Sequence, residues 1–543
     1  MSADIEEIRK GPEPESAPGE CFLRSCDSES PIGRGLSVSI STVGCQHNFS
    51  DGEQLWDILY RAGFTVLGRS SGEERFSESE SDDNVSCVVL NGCVAKTPSH
   101  DRYFRRCVSL LCRTSAPFPA VVVAGCTAQT LEDDLPVLAA RIRTHIAENH
   151  IVGMDPAALV ATVGAVGVDH IAEAPQVILS AVHARNSLTA KTDPSQRQLE
   201  AMRLVSRSCA GTAPPPIVMP IPGAQVVSRE NPLIAIVPIC TGCLHRCAYC
   251  RTVAARGRLR SFPISDVVSL ACAYAAQGAK EIRLVGEDVG AYGLDIGSDI
   301  ATLAESVGDA LRDRGYSAML RLGMANPPHV LRCASRLGKL LGSHPNIHSY
   351  LHLPIQSGSD AVLRLMRRGY TTADFEACVA AVRKEAPHTT IVTDIICGFP
   401  GETEEDHLET LALLRRMKLP YVNVNAMFLR QGTPAADDPK LRKLCLSSQV
   451  IKRRCKETAL LVAEENATLK ELVGSETTVW VCERAHDGKS WAGHTKEYVQ
   501  VLLPEEAFKM PEKGKEGDKG FVNTRKARIV DAGKWSVRGE VIG

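Results

Sequence analysis

Aromatic residues are scarce in this sequence: Phe, Tyr and Trp together make up 5 % of 543 residues, and only four are tryptophan. Nor is there an excess of either charge, since 62 Lys and Arg face 64 Asp and Glu for a formal net charge of −2. Overall charge therefore leaves no nucleic-acid footprint, and any such contact must come from local patches. No run reaches the roughly 18–20 uncharged apolar residues that a membrane-spanning helix needs. The N-terminus, MSADIEEIRKGPEPESAPGE, is acidic and rich in Pro, Gly and Ser, unlike a secretory signal or an Arg-rich, acid-poor transit peptide. The chain also stops at SVRGEVIG without a hydrophobic tail, so a cytoplasmic location is expected. Cysteine, by contrast, is abundant, with twenty in the chain. In a long chain without an export signal they point to reduced thiols and metal ligation rather than a disulfide framework.

A chain of this length exceeds a single hydrophobic core. Residues 1–36 read as a disordered tail. From 37 to 189 the apolar runs SVSIST (37–42), VSCVVLNG (85–92) and AVVVAG (120–125) alternate with helical stretches, which predicts an α/β domain on a parallel sheet. Within it, 151–189 reads as helical. Residues 190–230, with GTAPPPIVMPIPG, read as a linker. Six further strand-like runs follow between 231 and 471, separated by amphipathic helices, and predict a partial (β/α)6 barrel. From 472 to 543 short strands alternate with Gly-, Lys- and Pro-rich turns, which predicts a small all-β barrel.

Four cysteines crowd into PICTGCLHRCAYCRTVAARGRLRSF. Cys243, Cys247 and Cys250 have the spacing C-x3-C-x2-C, whereas Cys240 falls at a strand end. Zinc at this loop would need a fourth protein ligand, for which His245 is nearest. A [4Fe–4S] cluster on three thiolates would keep one iron open. A second set is written differently: Gly44-Cys45, Gly92-Cys93 and Gly125-Cys126 each close one of the first three predicted strands. In open α/β sheets the carboxyl ends of strands share one edge, so these thiols point to one place.

The C-x3-C-x2-C loop resembles the radical S-adenosylmethionine signature, in which the cofactor's methionyl group occupies the open iron and its reductive cleavage yields a 5′-deoxyadenosyl radical. GCQHNFSDGE, NGCVAK and GCTAQ resemble the N-terminal domain of the methylthiotransferases. That likeness implies that Cys45, Cys93 and Cys126 hold an auxiliary [4Fe–4S] cluster carrying the sulfur to be inserted. The C-terminal region resembles an RNA-binding TRAM domain. Among the branches, GEDVGAYGLDIG, RLGMANPP, LHLPIQSGSD and TDIICGFPGETEED are most similar to the archaeal and eukaryotic tRNA threonylcarbamoyladenosine (t6A) methylthiotransferases, which place a methylthio group on C2 of t6A at position 37.

The resemblance implies a multidomain α/β enzyme with two [4Fe–4S] clusters and S-adenosylmethionine, acting as a monomer on tRNA with an unidentified reductant. Cofactor contacts are expected from Glu287, Arg321, Gln356, Asp394 and Gly398. RNA contacts are expected from the acid-free run Arg251, Arg256, Arg258 and Arg260, and from Lys496, Arg525 and Lys526 in the last domain. Trp480, Trp491 and Tyr498 are available there to stack on bases. Two alternatives stay open: the same chemistry on isopentenyl-adenosine tRNA or a ribosomal-protein aspartate, and a zinc-bound tRNA-binding scaffold without catalysis.

Overall fold

The computed structural model describes residues 32–71, 85–94, 97–189, 203–204, 229, 231–485, 487–508 and 523–542. The expected tail up to residue 31 and most of the expected linker at 190–230 lie outside the described residues.

The N-terminal unit is a parallel sheet. Its strands are β1 (Ser37–Thr42), β2 (Thr65–Ser71), β3 (Cys87–Gly92), β4 (Ala120–Gly125), β5 (Gly164–Val166) and β6 (Arg203–Leu204), in the order β2-β1-β3-β4-β5-β6. β3 and β4 are buried at every position, as befits central strands covered on both faces, and that is why they read as continuous apolar runs. β2, TVLGRSS, lies at the edge, and β5 is three residues long within the stretch expected to be helical. β6 comes from the stretch expected to be linker and pairs with β5. The chain steps from β1 out to β2 and then back across β1 to β3. The strand order therefore reverses between β1 and β3, and a crevice at that switch point is where open α/β sheets bind ligands.

The central unit has the six expected parallel strands. β7 (Ile234–Pro238) leads through the short β8 (Cys240–Thr241) and β9 (Arg260–Ser261) to β10 (Glu281–Val285), β11 (Met319–Leu322), β12 (Tyr350–His352), β13 (Thr390–Cys397) and β14 (Tyr421–Ala426). β7-β10-β11 and β12-β13-β14 are joined by the parallel bridges Leu320–Ile347 and Met324–His352, making one open partial barrel in chain order. Helices such as Ile300–Asp313, Thr372–Glu385 and Glu404–Met417 cover its outer face. Their starts are written locally: Asp299 caps the first, and Thr371 and Thr403 form capping boxes with Asp374 and Asp406.

The C-terminal unit is a closed barrel of β15 (Glu476–Arg484), β16 (Ser490–His494), β17 (Gln500–Pro504), β18 (Thr524–Ala532) and β19 (Val537–Val541), in the order β15-β16-β17-β19-β18, consistent with a TRAM-like domain. Trp491, a predicted base stacker, is 3 % exposed in its core beside Val479 and Val501. This barrel closes the amino-terminal end of the central one. Asn231 Nδ2 donates to the Cys482 carbonyl at 2.8 Å, the Ser349 amide to the Lys496 carbonyl at 2.7 Å, and the Tyr498 hydroxyl to Glu281 at 2.9 Å. Lys496, expected to track RNA, instead donates Nζ to the His344 carbonyl at 2.6 Å and to that of Ile347.

Candidate active site

The C-x3-C-x2-C loop leaves the end of β8 at the carboxyl side of the partial barrel, opposite the small barrel. Gly242 (φ +76°) starts it, and a Cβ there would stand 2.1 Å from the Arg258 carbonyl oxygen, so the loop and its returning arm lie in contact. The Cys243 amide donates to the Gly257 carbonyl at 3.2 Å, and the Cys250 amide to that of Cys247 at 3.1 Å. Cys247 is 7 % exposed, and Arg368 donates to its Sγ at 2.9 Å. The same guanidinium reaches the Tyr370 hydroxyl at 3.0 Å and Asn326 Oδ1. Burial raises the Cys247 thiol, with Arg368 opposing. Burial, aided by Asp288, pushes Cys243 up to about 12. These thiols are neutral by themselves at pH 7, and a metal binding there must displace their protons.

The three Gly-Cys cysteines do converge at the switch point. Cys45 is the N-cap of the helix Gln46–Arg61 after β1, Cys93 follows β3, and Cys126 opens the helix Cys126–Gln129 after β4. A Cβ on Gly44 (φ +137°) would stand 2.3 Å from Cys93 Cβ, and one on Gly125 (φ +72°) 2.2 Å from Asn91 Oδ1, so both positions require glycine. Asn48 Oδ1 lies 3.9 Å from Cys45 Sγ and 3.6 Å from Cys126 Sγ. Cys45 is exposed at the mouth, with Cys93 and Cys126 buried behind it. Burial pushes Cys126 up to about 12. Three sulfur donors at one edge of the sheet, each preceded by a glycine, are a donor set of the kind that iron–sulfur clusters accept.

The basic run behind Cys250 joins the two thiol sets and is not a free surface. Arg256 is 3 % exposed; its Nε lies 3.0 Å from Cys126 Sγ and 3.0 Å from Glu287 Oε1, and its Nη2 is 3.2 Å from Asn48 Oδ1 and 2.5 Å from Asp51 Oδ2. Ala255 packs on Val94 and Cys126. Arg251 is 6 % exposed and 3.5 Å from Asp134, and Arg260 is 2.6 Å from Asp169. Asp51, Asp134 and Asp169 all belong to the N-terminal unit, so this arm docks the two domains. The expectation that Arg251, Arg256 and Arg260 face phosphate is corrected by their buried or half-buried pairing with protein carboxylates; Arg258 is exposed. In the small barrel, Arg525 stacks on Phe508 and donates to the Ala507 carbonyl at 2.9 Å, while Lys526 is exposed.

Glu287, after β10, is buried between the domains. His47 Nδ1 contacts its Oε1 at 2.9 Å, whereas Oε2 is buried without a hydrogen-bond partner. Although burial works against it, His47 and Arg256 hold Glu287 below the ordinary carboxylate range. An ionised carboxylate with one unmatched oxygen beside the cysteine loop suits an ammonium group. Its neighbour Asp288 is fully buried and accepts from Gly290 N, Asn326 N and Asn326 Nδ2 at 2.7–3.1 Å, with His245 and His329 facing it at 3.8 and 3.6 Å. His245 therefore turns to a carboxylate. Gln356 (φ +76°) pairs its amide with the Asp394 carbonyl at 2.8 Å. Asp394 takes His352 Nε2 at 2.9 Å and Asn423 Nδ2 at 2.7 Å. Gly398 (φ +86°) donates its amide to Glu402 at 2.6 Å.

Arg321 does not reach the cofactor end. It lies beside the contacting rings of Tyr350 and Tyr498, the latter from the small barrel, which places it toward the closed end. The guanidinium beside the loop is Arg368, which the sequence reading missed. Its only local signal is LMRRGY after the fourth barrel strand, and nothing in that spacing says that its side chain turns back onto Cys247.

Residues 37–146 match the family model described as "Uncharacterized protein family UPF0004", and 237–414 match that of the radical SAM superfamily. The chain is 34 % identical over 516 residues to the threonylcarbamoyladenosine tRNA methylthiotransferase of Drosophila pseudoobscura pseudoobscura, covering 95 % of this chain and 79 % of that one. It is 34 % identical to the Homo sapiens protein of the same name, covering 88 % and 71 %. A probable counterpart from Methanothermobacter thermautotrophicus is 29 % identical, covering 86 % and 94 %. Among solved structures, a radical S-adenosylmethionine methyltransferase from Kitasatospora setae aligns at TM-score 0.46 and 14 % identity, over 75 % of this chain and 77 % of that one. The radical SAM match implies S-adenosylmethionine and a [4Fe–4S] cluster. With such identity across most of both chains, the protein belongs to the threonylcarbamoyladenosine tRNA methylthiotransferase family of radical S-adenosylmethionine enzymes.

Proposed function

We propose that this chain converts N6-threonylcarbamoyladenosine at position 37 of tRNA to its 2-methylthio derivative, using one cluster on Cys243, Cys247 and Cys250 and a second on Cys45, Cys93 and Cys126. The observation that carries this reading is the convergence of the three Gly-Cys thiols on a crevice joined to the C-x3-C-x2-C arm by Arg256, 3.0 Å from Cys126. Adenine C2–H is not acidic enough for an aqueous general base, so the reaction needs a hydrogen-abstracting radical and a sulfur source at the same atom. When bound, the clusters and S-adenosylmethionine supply that radical and that sulfur, and an external one-electron donor is required.

The chain's own residues then divide the work. Cys243, Cys247 and Cys250 leave one iron position open, and Glu287 and Arg368 offer complementary charges to the cofactor's amino and carboxylate groups beside it. Arg256 neutralises the seam and holds the second thiol set in register with the first. Asp394, fixed by His352 and Asn423, presents an acceptor from the inner face of the partial barrel toward the base or a ribose. Exposed Arg258 and Lys526 remain as phosphate contacts, together with Arg525.

The test is anaerobic reconstitution followed by iron counting and nucleoside analysis. About eight irons are expected, falling to about four in the Cys45→Ala/Cys93→Ala/Cys126→Ala variant, with loss of methylthiolated product. Four irons in both proteins would remove the second cluster and, with it, the sulfur-insertion reading.

A further inference from the structure

The inner face of the partial barrel is polar where its outer face is apolar. On β11, Leu320 and Leu322 are 0 % and 1 % exposed, whereas Arg321 between them keeps part of its surface. Strand side chains alternate faces, so the opening that exposes Arg321 is the barrel lumen. Its polar neighbours there have partners: Arg283 Nε pairs with Glu281 at 2.6 Å, and Asp394 is held by His352 and Asn423. Arg321 differs. Its guanidinium carbon sits 5.0 Å from the Tyr350 ring centre and 5.1 Å from that of Tyr498, on one side of two rings whose centres are themselves 4.7 Å apart. Yet its hydrogen bond is a single 3.3 Å contact from Nη2 to the Tyr350 hydroxyl, its Nε is buried without a partner, and no carboxylate pairs with it among the described residues. A guanidinium carries five donors in one plane, and that fork matches a carboxylate in two parallel bonds.

We propose that Arg321 receives the carboxylate of the substrate's threonylcarbamoyl group and so selects the modified base; this rests on the function proposed above. The depth agrees. His352 bridges to Met324, three residues beyond Arg321 on β11, so Arg321 lies roughly 10 Å farther from the cysteine loop than that level, at about 3.3 Å per residue. Adenine C2 and C6 flank ring N1. The C6–N6 bond diverges to the side of the C2–H bond, so with C2 at the cysteine rim the threonylcarbamoyl arm must bend down from the base to enter the lumen. The carboxylate of S-adenosylmethionine is the other anion of this chemistry, and Arg368 stands nearer the cluster loop to take it.

The experiment uses the full reconstituted chain and two anticodon stem-loop RNAs, one with t6A and one whose threonine carboxylate is a carboxamide. It measures binding of each RNA and of S-adenosylmethionine, and kcat/KM for each RNA, in wild type, Arg321→Lys and Arg321→Gln. Wild type should prefer the carboxylate RNA by about 30-fold or more, the range of a charge-assisted pair. The preference should collapse toward unity in Arg321→Gln and recover in part in Arg321→Lys. Equal use of both RNAs by wild type overturns the assignment, as does an Arg321→Gln protein that loses both equally with the preference intact, which is a structural role. Weakened S-adenosylmethionine binding with unchanged RNA preference also overturns it, by moving Arg321 to the cofactor. A wild type that methylthiolates neither RNA refutes the proposed function, and this assignment with it.

Discussion

Removing Arg256 would leave Asp51 and Glu287 buried without their shared cation. Breaking a buried ion pair from one side is costly, so Arg256→Gln should lower stability by about 3 kcal/mol in chemical denaturation. Arg258→Gln, two residues away and exposed, should stay within about 0.5 kcal/mol. That contrast explains why the roles of the arginines are not legible in the sequence whereas the cysteine spacing is. Thiol spacing in C-x3-C-x2-C is a local property that survives without knowing the fold. Arginines at 251, 256, 258 and 260 look alike in sequence, and only the acids brought up by the other domain separate the docked ones from the free one. The glycines before the cysteines are legible for a similar local reason, since Gly44 and Gly125 take a positive φ. Gly125→Ala, at φ +72° with Asn91 Oδ1 at 2.2 Å from the added Cβ, should cost about 1–3 kcal/mol and, on the function proposed above, lower the iron count after reconstitution.

Among the elements, the central strands were legible and the edges were not. β3 and β4 are buried at every position, so their composition is set by burial alone. β2 and β5 need little apolar content, being at an edge or three residues long, and their pairing with β1 and β4 depends on the sheet already existing. Helix starts were encoded in single turns. Thr403→Ala removes a hydroxyl that accepts from the Asp406 amide at 3.2 Å in a two-way capping box. It should destabilise the helix Glu404–Met417 by about 1 kcal/mol, read as a lower melting temperature with the site's iron content unaltered.

At the scale of the whole molecule, the seam between the small barrel and the central one carries buried titratable groups. Burial holds His348 down to about 4 and His494 to about 3, so both are uncharged when folded. Unfolded, they take up protons near pH 6.5, and lowering pH from 7 to 5 therefore favours the unfolded chain by about 2 kcal/mol per histidine. Glu281, pulled below its ordinary range by Arg283 in spite of its burial, contributes stability that is present above its unfolded value and lost as pH falls further. The melting temperature should drop between pH 7 and 5, and His494→Gln should flatten part of that drop, the rest coming from His348 and from His245 and His329, which burial also holds down. A profile as steep in the variant as in the wild type would show that the seam does not govern acid stability. Among the described residues no helix is long and apolar enough to cross a membrane.

The sequence by itself determined the two cysteine sets, the glycines that shape them, the six barrel strands and the closing β-barrel, because each rests on spacing, periodicity or a turn of a few residues. Tertiary structure alone decided which cations are free. Arg256 and Arg251 became a domain seam, Lys496 a clasp on backbone carbonyls, Arg368 a neighbour of Cys247, and Arg321 a guanidinium beside two tyrosines in the lumen. The physical reason is that the state of a charged side chain depends on the dielectric and the partners around it, and these come from residues tens to hundreds of positions away.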